Sequence, residues 1–239
     1  MEIFQFKKFI VKQNSAFVFK VNTEAVLLSA WVTVREKIKI LEIGSGTGVI
    51  SLGLLQRLKE TSHITTIDID VNAYHLTLEN ILLNNATNVE VKHASLEDFS
   101  KTSLQCKFDL ILSNPPFFET TYKSTKPRNI YAKYTNSLSY EDLVETAVKH
   151  LKDNGILALV LPFEVLDKIV AIAAKNKLYI HRQLTLYSRP HKRPLRILME
   201  FANNNDIVQP ETTSLCIKDS KNEYTESYKG YLNQYYTIF

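Results

Sequence analysis

From Lys37 to Phe201, short apolar runs alternate with longer amphipathic stretches, and this alternation constrains the fold more than any other feature of the chain. "IKILEIG" (38–44), "HITTIDID" (63–70), "VEVKH" (89–93), "FDLILSN" (108–114) and "ILALVLP" (156–162) have the length and composition of buried strands. Between them, "GVISLGLLQRLKE" (48–60) places Ile50, Leu54, Leu55 and Leu58 on one helical face. "NAYHLTLENILLNN" (72–85), "SYEDLVETAVKHL" (139–151) and "FEVLDKIVAIAAKNK" (163–177) also read as helices. Ser139 and Asp142 have N-cap spacing, and Gly155 suits a turn after that helix. Strands joined through helices predict a parallel sheet covered on both faces. The last two runs, "YIHRQLTLYS" (179–188) and "LRILMEF" (195–201), have no helix between them and predict an antiparallel hairpin at the edge, making seven strands. Upstream, "TEAVLLSAWV" (23–32) and the aromatic stretches before it predict a helix and a hairpin capping the sheet. Downstream, a solvated loop (203–210), a short strand within "SLCIKD" and a Tyr-rich helix complete the chain. The expectation is one domain over 1–239, with a cap segment (1–36), a core (37–202) and an extension (203–239).

Composition narrows the class. A chain of 239 residues, 45% hydrophobic and 23% charged, can bury a core without covalent staples. Cys106 and Cys216 are its only cysteines, in no CxxC or Cys/His ligand spacing, which predicts a reducing compartment and no metal site. The opening "MEIFQFKKFIVKQ" lacks signal-peptide character, and no apolar run is long enough to span a bilayer, so the expectation is a monomeric cytoplasmic protein without a membrane partner. The balance of 29 basic to 25 acidic residues permits an anionic partner. His63, His75, His150 and His181 fall inside predicted elements and read as structural, so no histidine dyad is expected.

"LEIGSGTGVI" (41–50) ends a strand and opens a helix. Gly44, Gly46 and Gly48 allow a tight turn and close approach of backbone to a ligand. Their GxGxG spacing differs from the dinucleotide GxGxxG, and there is no phosphate-loop lysine. Glu42 can balance a cationic ligand, and Asp68, ending the second strand, suits a ribose diol. A ribose, a positive charge and no phosphate together describe S-adenosylmethionine. Asp70 reads as an N-cap for the next helix. Ser95 follows the third strand, in a polar segment that can meet the cofactor's adenine or be plain loop.

"NPPFF" (114–118) stands past the carboxyl end of the fourth strand, the edge of an open α/β sheet where ligands bind. The side-chain oxygen of Asn114 and the carbonyl of Pro115 can accept both hydrogens of a planar amino group. Pro116 stiffens the corner, Phe117 can stack on the ring carrying the amine, and Phe118 reads as packing. Holding both hydrogens turns the nitrogen lone pair toward an incoming methyl, a positioning role that needs no strong base.

With these motifs in place, the chain resembles the class I S-adenosylmethionine-dependent amino methyltransferases: ExGxGxG, an acidic second-strand end and an NPPF corner. "FQFKKFIVKQ", "FKVNTEAVLLSAW", "NPPFF" and "YTESYKGYLNQYY", in this order, resemble the bacterial tRNA1(Val) adenine N6-methyltransferase family over nearly the whole chain. The resemblance implies a Rossmann-like fold and methyl transfer to N6 of the adenosine beside the anticodon. It also implies that Lys20, Val21 and Thr23 line the cofactor pocket. Two positions depart from the family's pattern. Asn22 stands where glycine is usual and can take a positive φ there; Ser95 stands where an aspartate commonly contacts the adenine. Alternatives sharing the corner are a guanine-N2 methyltransferase of ribosomal RNA, a protein glutamine methyltransferase and a non-catalytic cofactor-binding scaffold. Basic loops at 122–128 ("YKSTKPR") and 188–196 ("SRPHKRPLR") suit the phosphates of a folded tRNA.

Overall fold

The computed structural model describes residues 2–14, 20–36, 38–115, 139–203 and 209–239. Its centre is a sheet of eight strands. β3 (Lys39–Ile43) lies in the middle, followed outward on one side by β4 (His63–Asp68) and β5 (Val89–His93). On the other side come β6 (Phe108–Ser113), β7 (Leu151–Pro162), β9 (Pro194–Ala202), β8 (Tyr179–Tyr187) and β10 (Glu211–Cys216). β7, β6, β3, β4 and β5 pair in parallel, and β9 runs antiparallel to both β7 and β8. The sequence is right about the mostly parallel sheet and the hairpin, but the hairpin is not the edge. β10 adds parallel to β8 from Glu211↔Arg182 to Cys216↔Tyr187, so the strand count is eight. The reason is exposure of backbone: without β10 the unpaired N–H and C=O groups of β8 would face solvent.

Alternate residues of the central strands face opposite layers. Ile40, Leu110, Leu112, Ala158 and Val160 pack toward α1 (Thr23–Trp31), α2 (Val49–Leu55), α3 (Val71–Leu83) and the terminal helix α7 (Glu226–Leu232). Leu41, Ile111, Leu157 and Leu159 pack toward α4 (Leu96–Thr102), α5 (Tyr140–His150) and α6 (Leu166–Lys175). Burial on both faces explains why these strands read as nearly unbroken apolar runs. The N-cap of α5 is as expected: Ser139 Oγ accepts from Asp142 N at 3.0 Å. Gly155 does not form the turn; it lies within β7, where pairing jumps from Phe108↔Leu151 to Leu110↔Ile156. A Cβ there would stand 3.1 Å from the Phe108 carbonyl, so glycine serves a close backbone approach at this bulge.

The hairpin of β1 (Glu2–Gln5) and β2 (Ile10–Gln13) forms as expected, and α3 holds it through two asparagines one turn apart. Asn80 Oδ1 accepts from Lys12 N and its Nδ2 donates to Lys12 O, both at 2.8 Å. Asn84 does the same for Ile10, at 3.0 and 2.8 Å. Each side-chain amide thus replaces a peptide unit of a missing neighbour strand.

Candidate active site

Chain order makes the site. From β3 the chain steps outward to β4 and β5, then returns to place β6 on the other side of β3. The carboxyl ends of β3 and β6 therefore flank the switch point, where a doubly wound sheet opens a crevice. The glycine loop leaves β3 there, and Asn114 and Pro115 leave β6.

Gly44, Gly46 and Gly48 have φ of 83°, 56° and 75°, all in the left-handed region that side chains disfavour. A Cβ on Gly44 or Gly46 would meet nothing within 4 Å, so the loop presents bare backbone to open space. Gly48 differs, because a Cβ there would lie 3.0 Å from Thr77 Cγ2; it lets α3 approach. The loop is tied down from behind. Gly44 and Ser45 donate their N–H groups to Ile67 O at 2.9 and 3.1 Å, and Asn80 Nδ2 donates to Thr47 O at 2.9 Å.

Asp68 stands where the sequence places it, at the end of β4, and it already organises the loop. Its Oδ2 accepts from Gly46 N at 2.9 Å and from the Ser45 hydroxyl at 3.4 Å; its Oδ1 accepts from Asp70 N at 2.9 Å. Burial pushes its carboxyl above the usual range, opposed by these donors. Asp70 is the N-cap of α3, as expected, with Oδ1 accepting from Asn72 N at 2.8 Å. Ile69, between the two acids, is 45% exposed and offers an apolar surface beside Asp68 that the sequence reading passed over.

The other expected ligand residues have settings the sequence does not signal. Glu42 is no solvated carboxylate: it is fully buried and accepts a hydrogen bond from the Ser51 hydroxyl. Burial pushes its carboxyl up to about 8, so at neutral pH it holds its proton more often than a charge. Lys20 forms an exposed ion pair with Glu2 at 2.8 Å. Ser95 caps α4, a helix where the sequence suggested loop; its hydroxyl accepts from Asp98 N and donates to Asp98 Oδ2. Val21 lies partly buried against the core, its N–H held by Gln13 Oε1 at 3.0 Å. Thr23 opens α1 beside the phenols of Tyr228 and Tyr236, and burial pushes the Tyr236 phenol up to about 12.

At the corner, Asn114 is half-buried and Pro115 buried. Asn114 Nδ2 donates to Asn22 Oδ1 at 3.3 Å, while its own Oδ1 is buried without a partner among the described residues. Asn22 does not use a positive φ; at −115° it is extended and caps α1, Oδ1 accepting from Ala25 N at 2.7 Å. The contact between Asn22 and Asn114 spans 92 positions, and nothing local in the sequence signals it. Pro116, Phe117 and Phe118, with the basic loop 122–128, lie outside the described residues. In the loop 188–196, Arg189 donates to Asn222 Oδ1 at 2.6 Å and Arg196 pairs with Glu24 at 3.5 Å, leaving His191, Lys192 and Arg193 exposed.

A glycine loop and an Asn-Pro corner facing each other across the switch point of this sheet define a Rossmann-like methyltransferase, and residues 20–169 match the family model of the methyltransferase small domain. The fold alone is shared with a predicted O-methyltransferase from Agrobacterium tumefaciens, at TM-score 0.69 and 18% identity over 88% of this chain and 95% of that one. Sequence goes further. The tRNA1(Val) (adenine(37)-N6)-methyltransferase of Pseudoalteromonas translucida is 33% identical over 238 residues, covering 99% of each chain. The protein of the same name from Bacteroides thetaiotaomicron is 34% identical over 98% of this chain and 96% of its own. The chain belongs to the tRNA1(Val) (adenine(37)-N6)-methyltransferase family.

Proposed function

We propose that this protein transfers a methyl group from S-adenosylmethionine to the exocyclic N6 of an adenosine in tRNA, the one beside the anticodon of a valine tRNA. The observation that carries the substrate is the end-to-end similarity to relatives bearing that name. The chemistry is supported by Asn114, whose buried Oδ1 lacks a partner at the switch point.

The residues present fit the cofactor. Open space over Gly44 and Gly46 suits a ligand that comes close to the loop backbone. Gly44, Gly46, Asp68, Glu42, Val21 and Thr23 would hold it, Asp68 through lone pairs its present bonds leave free. When bound, S-adenosylmethionine supplies an electrophilic methyl group on a sulfonium. Asn114 Oδ1 and the Pro115 carbonyl accept the two amine hydrogens of the adenine, which fixes the direction of the nitrogen lone pair. Phe117 stacks on the base. A proton then leaves the nitrogen to water, so no strong base is needed. Lys192 and Arg193, with the loop 122–128, meet tRNA phosphates.

Asn114→Ala tests this reading. Turnover on tRNA should fall by roughly 10²–10³, as for loss of a transition-state hydrogen-bonding group, with S-adenosylmethionine affinity unchanged by calorimetry. Wild-type turnover in that variant would remove the amine cradle.

A further inference from the structure

We infer that Asn22 is a positioning residue that fixes which end of the Asn114 amide faces the substrate. The inference rests on the proposed amine cradle and adds the element that gives the cradle its polarity. A side-chain amide is nearly symmetric in shape but not in chemistry: one end accepts and the other donates. To receive an amine hydrogen, Asn114 must present oxygen.

The structure sets that orientation by a relay that begins at a backbone group. The N–H of Ala25, in the first turn of α1, can only donate, and it points at the Asn22 side chain, 2.7 Å from Oδ1. Asn22 must therefore turn its oxygen to the helix. That same oxygen faces Asn114 at 3.3 Å, so the facing group has to be the donor, Nδ2. An inverted Asn114 would set oxygen against oxygen. Oδ1 is left buried and free to accept. One hydrogen bond of ordinary net strength, gained in one orientation and lost in the other, biases the amide roughly tenfold. Asn22 is itself braced: Val21, just before it, donates its N–H to Gln13 Oε1, and Gln13 Nε2 donates to Glu2 Oε2 at 3.2 Å.

Three variants separate this role from helix capping. Asn22→Ser keeps a good cap but is too short to reach Asn114. Asn22→Asp keeps both acceptor bonds. On tRNA, Asn22→Ser should lower kcat roughly tenfold, with KM for both substrates and the melting temperature unchanged, and Asn22→Asp should restore kcat to near wild type. Placed on Asn114→Asp, which has no donor to offer, Asn22→Ser should cause no further loss in single-turnover rate. Wild-type kcat in Asn22→Ser would overturn the inference. So would a loss that Asp fails to restore, or one that persists undiminished on Asn114→Asp, because the loss would then not come from the acceptor bond to Asn114. If Asn114→Ala loses turnover while Asn22→Ser keeps wild-type kcat, the relay fails and the cradle stands. If Asn114→Ala is itself active, the cradle fails.

Discussion

Glu42 is the residue whose chemistry departs furthest from its look in the sequence. As the acid of "LEIGSG" it reads as a counter-charge for a cation; folded, it is a buried carboxyl held by Ser51. Desolvation raises it to about 8, with the nearby Asp68 adding to the rise. The sign of the pH effect follows. Below its ordinary value of 4.5 the group is neutral in both folded and unfolded chains and costs nothing. Between 4.5 and about 8 unfolding lets it ionise, so the stability it contributes is lost as pH rises. Glu42→Gln should flatten that decline: in urea unfolding without cofactor between pH 5 and 8, the wild type should lose stability relative to the variant. Parallel pH profiles would mean that Glu42 is ionised in the fold. Asp68 shows the other side of legibility. Its place at a strand end was readable from sequence, but its bond to Gly46 N was not, because that partner lies 22 positions away.

At the scale of elements, the long parallel strands were legible because burial on both faces leaves an apolar run with no alternative. α4 was not. It has one buried turn, Leu96 and Phe99, inside a polar segment whose Ser95 and Asp98 look like loop until they cap each other. Gly155 misleads for a related reason: a glycine after a helix signals a turn, yet here two backbone carbonyls crowd it, Lys152 O of its own strand and Phe108 O of the neighbouring one. The clamp of β2 on α3 had no local signature at all, because Asn80 and Asn84 look like ordinary polar positions on a helix. Asn80→Ala should nonetheless matter, since it strands both the N–H and the C=O of Lys12 and frees the Thr47 carbonyl. A loss of about 1–3 kcal/mol is expected, with faster amide exchange at Lys12. Protection at Lys12 equal to the wild type would show that the hairpin docks by its apolar face alone.

On the scale of the whole molecule, one topological fact gathers the site: β6 returns to the far side of β3, so the glycine loop and Asn114 meet although 66 positions separate Gly48 from Asn114. The terminal segments then close around this centre, α1 carrying Asn22 to the corner and α7 packing beside Thr23. The exposed end of the β8–β9 loop gives a prediction at this scale. Lys192→Ala combined with Arg193→Ala should weaken tRNA binding and lower the slope of log affinity against log salt by up to about two; an unchanged slope would place the phosphates elsewhere. The central claim is the identity of the methylated group, and mass analysis of nucleosides tests it most directly. Purified protein, S-adenosylmethionine and tRNA lacking the modification should yield N6-methyladenosine in the valine isoacceptor. Valine tRNA without N6-methyladenosine after the reaction, or with the methyl group on another nucleoside, would contradict the account.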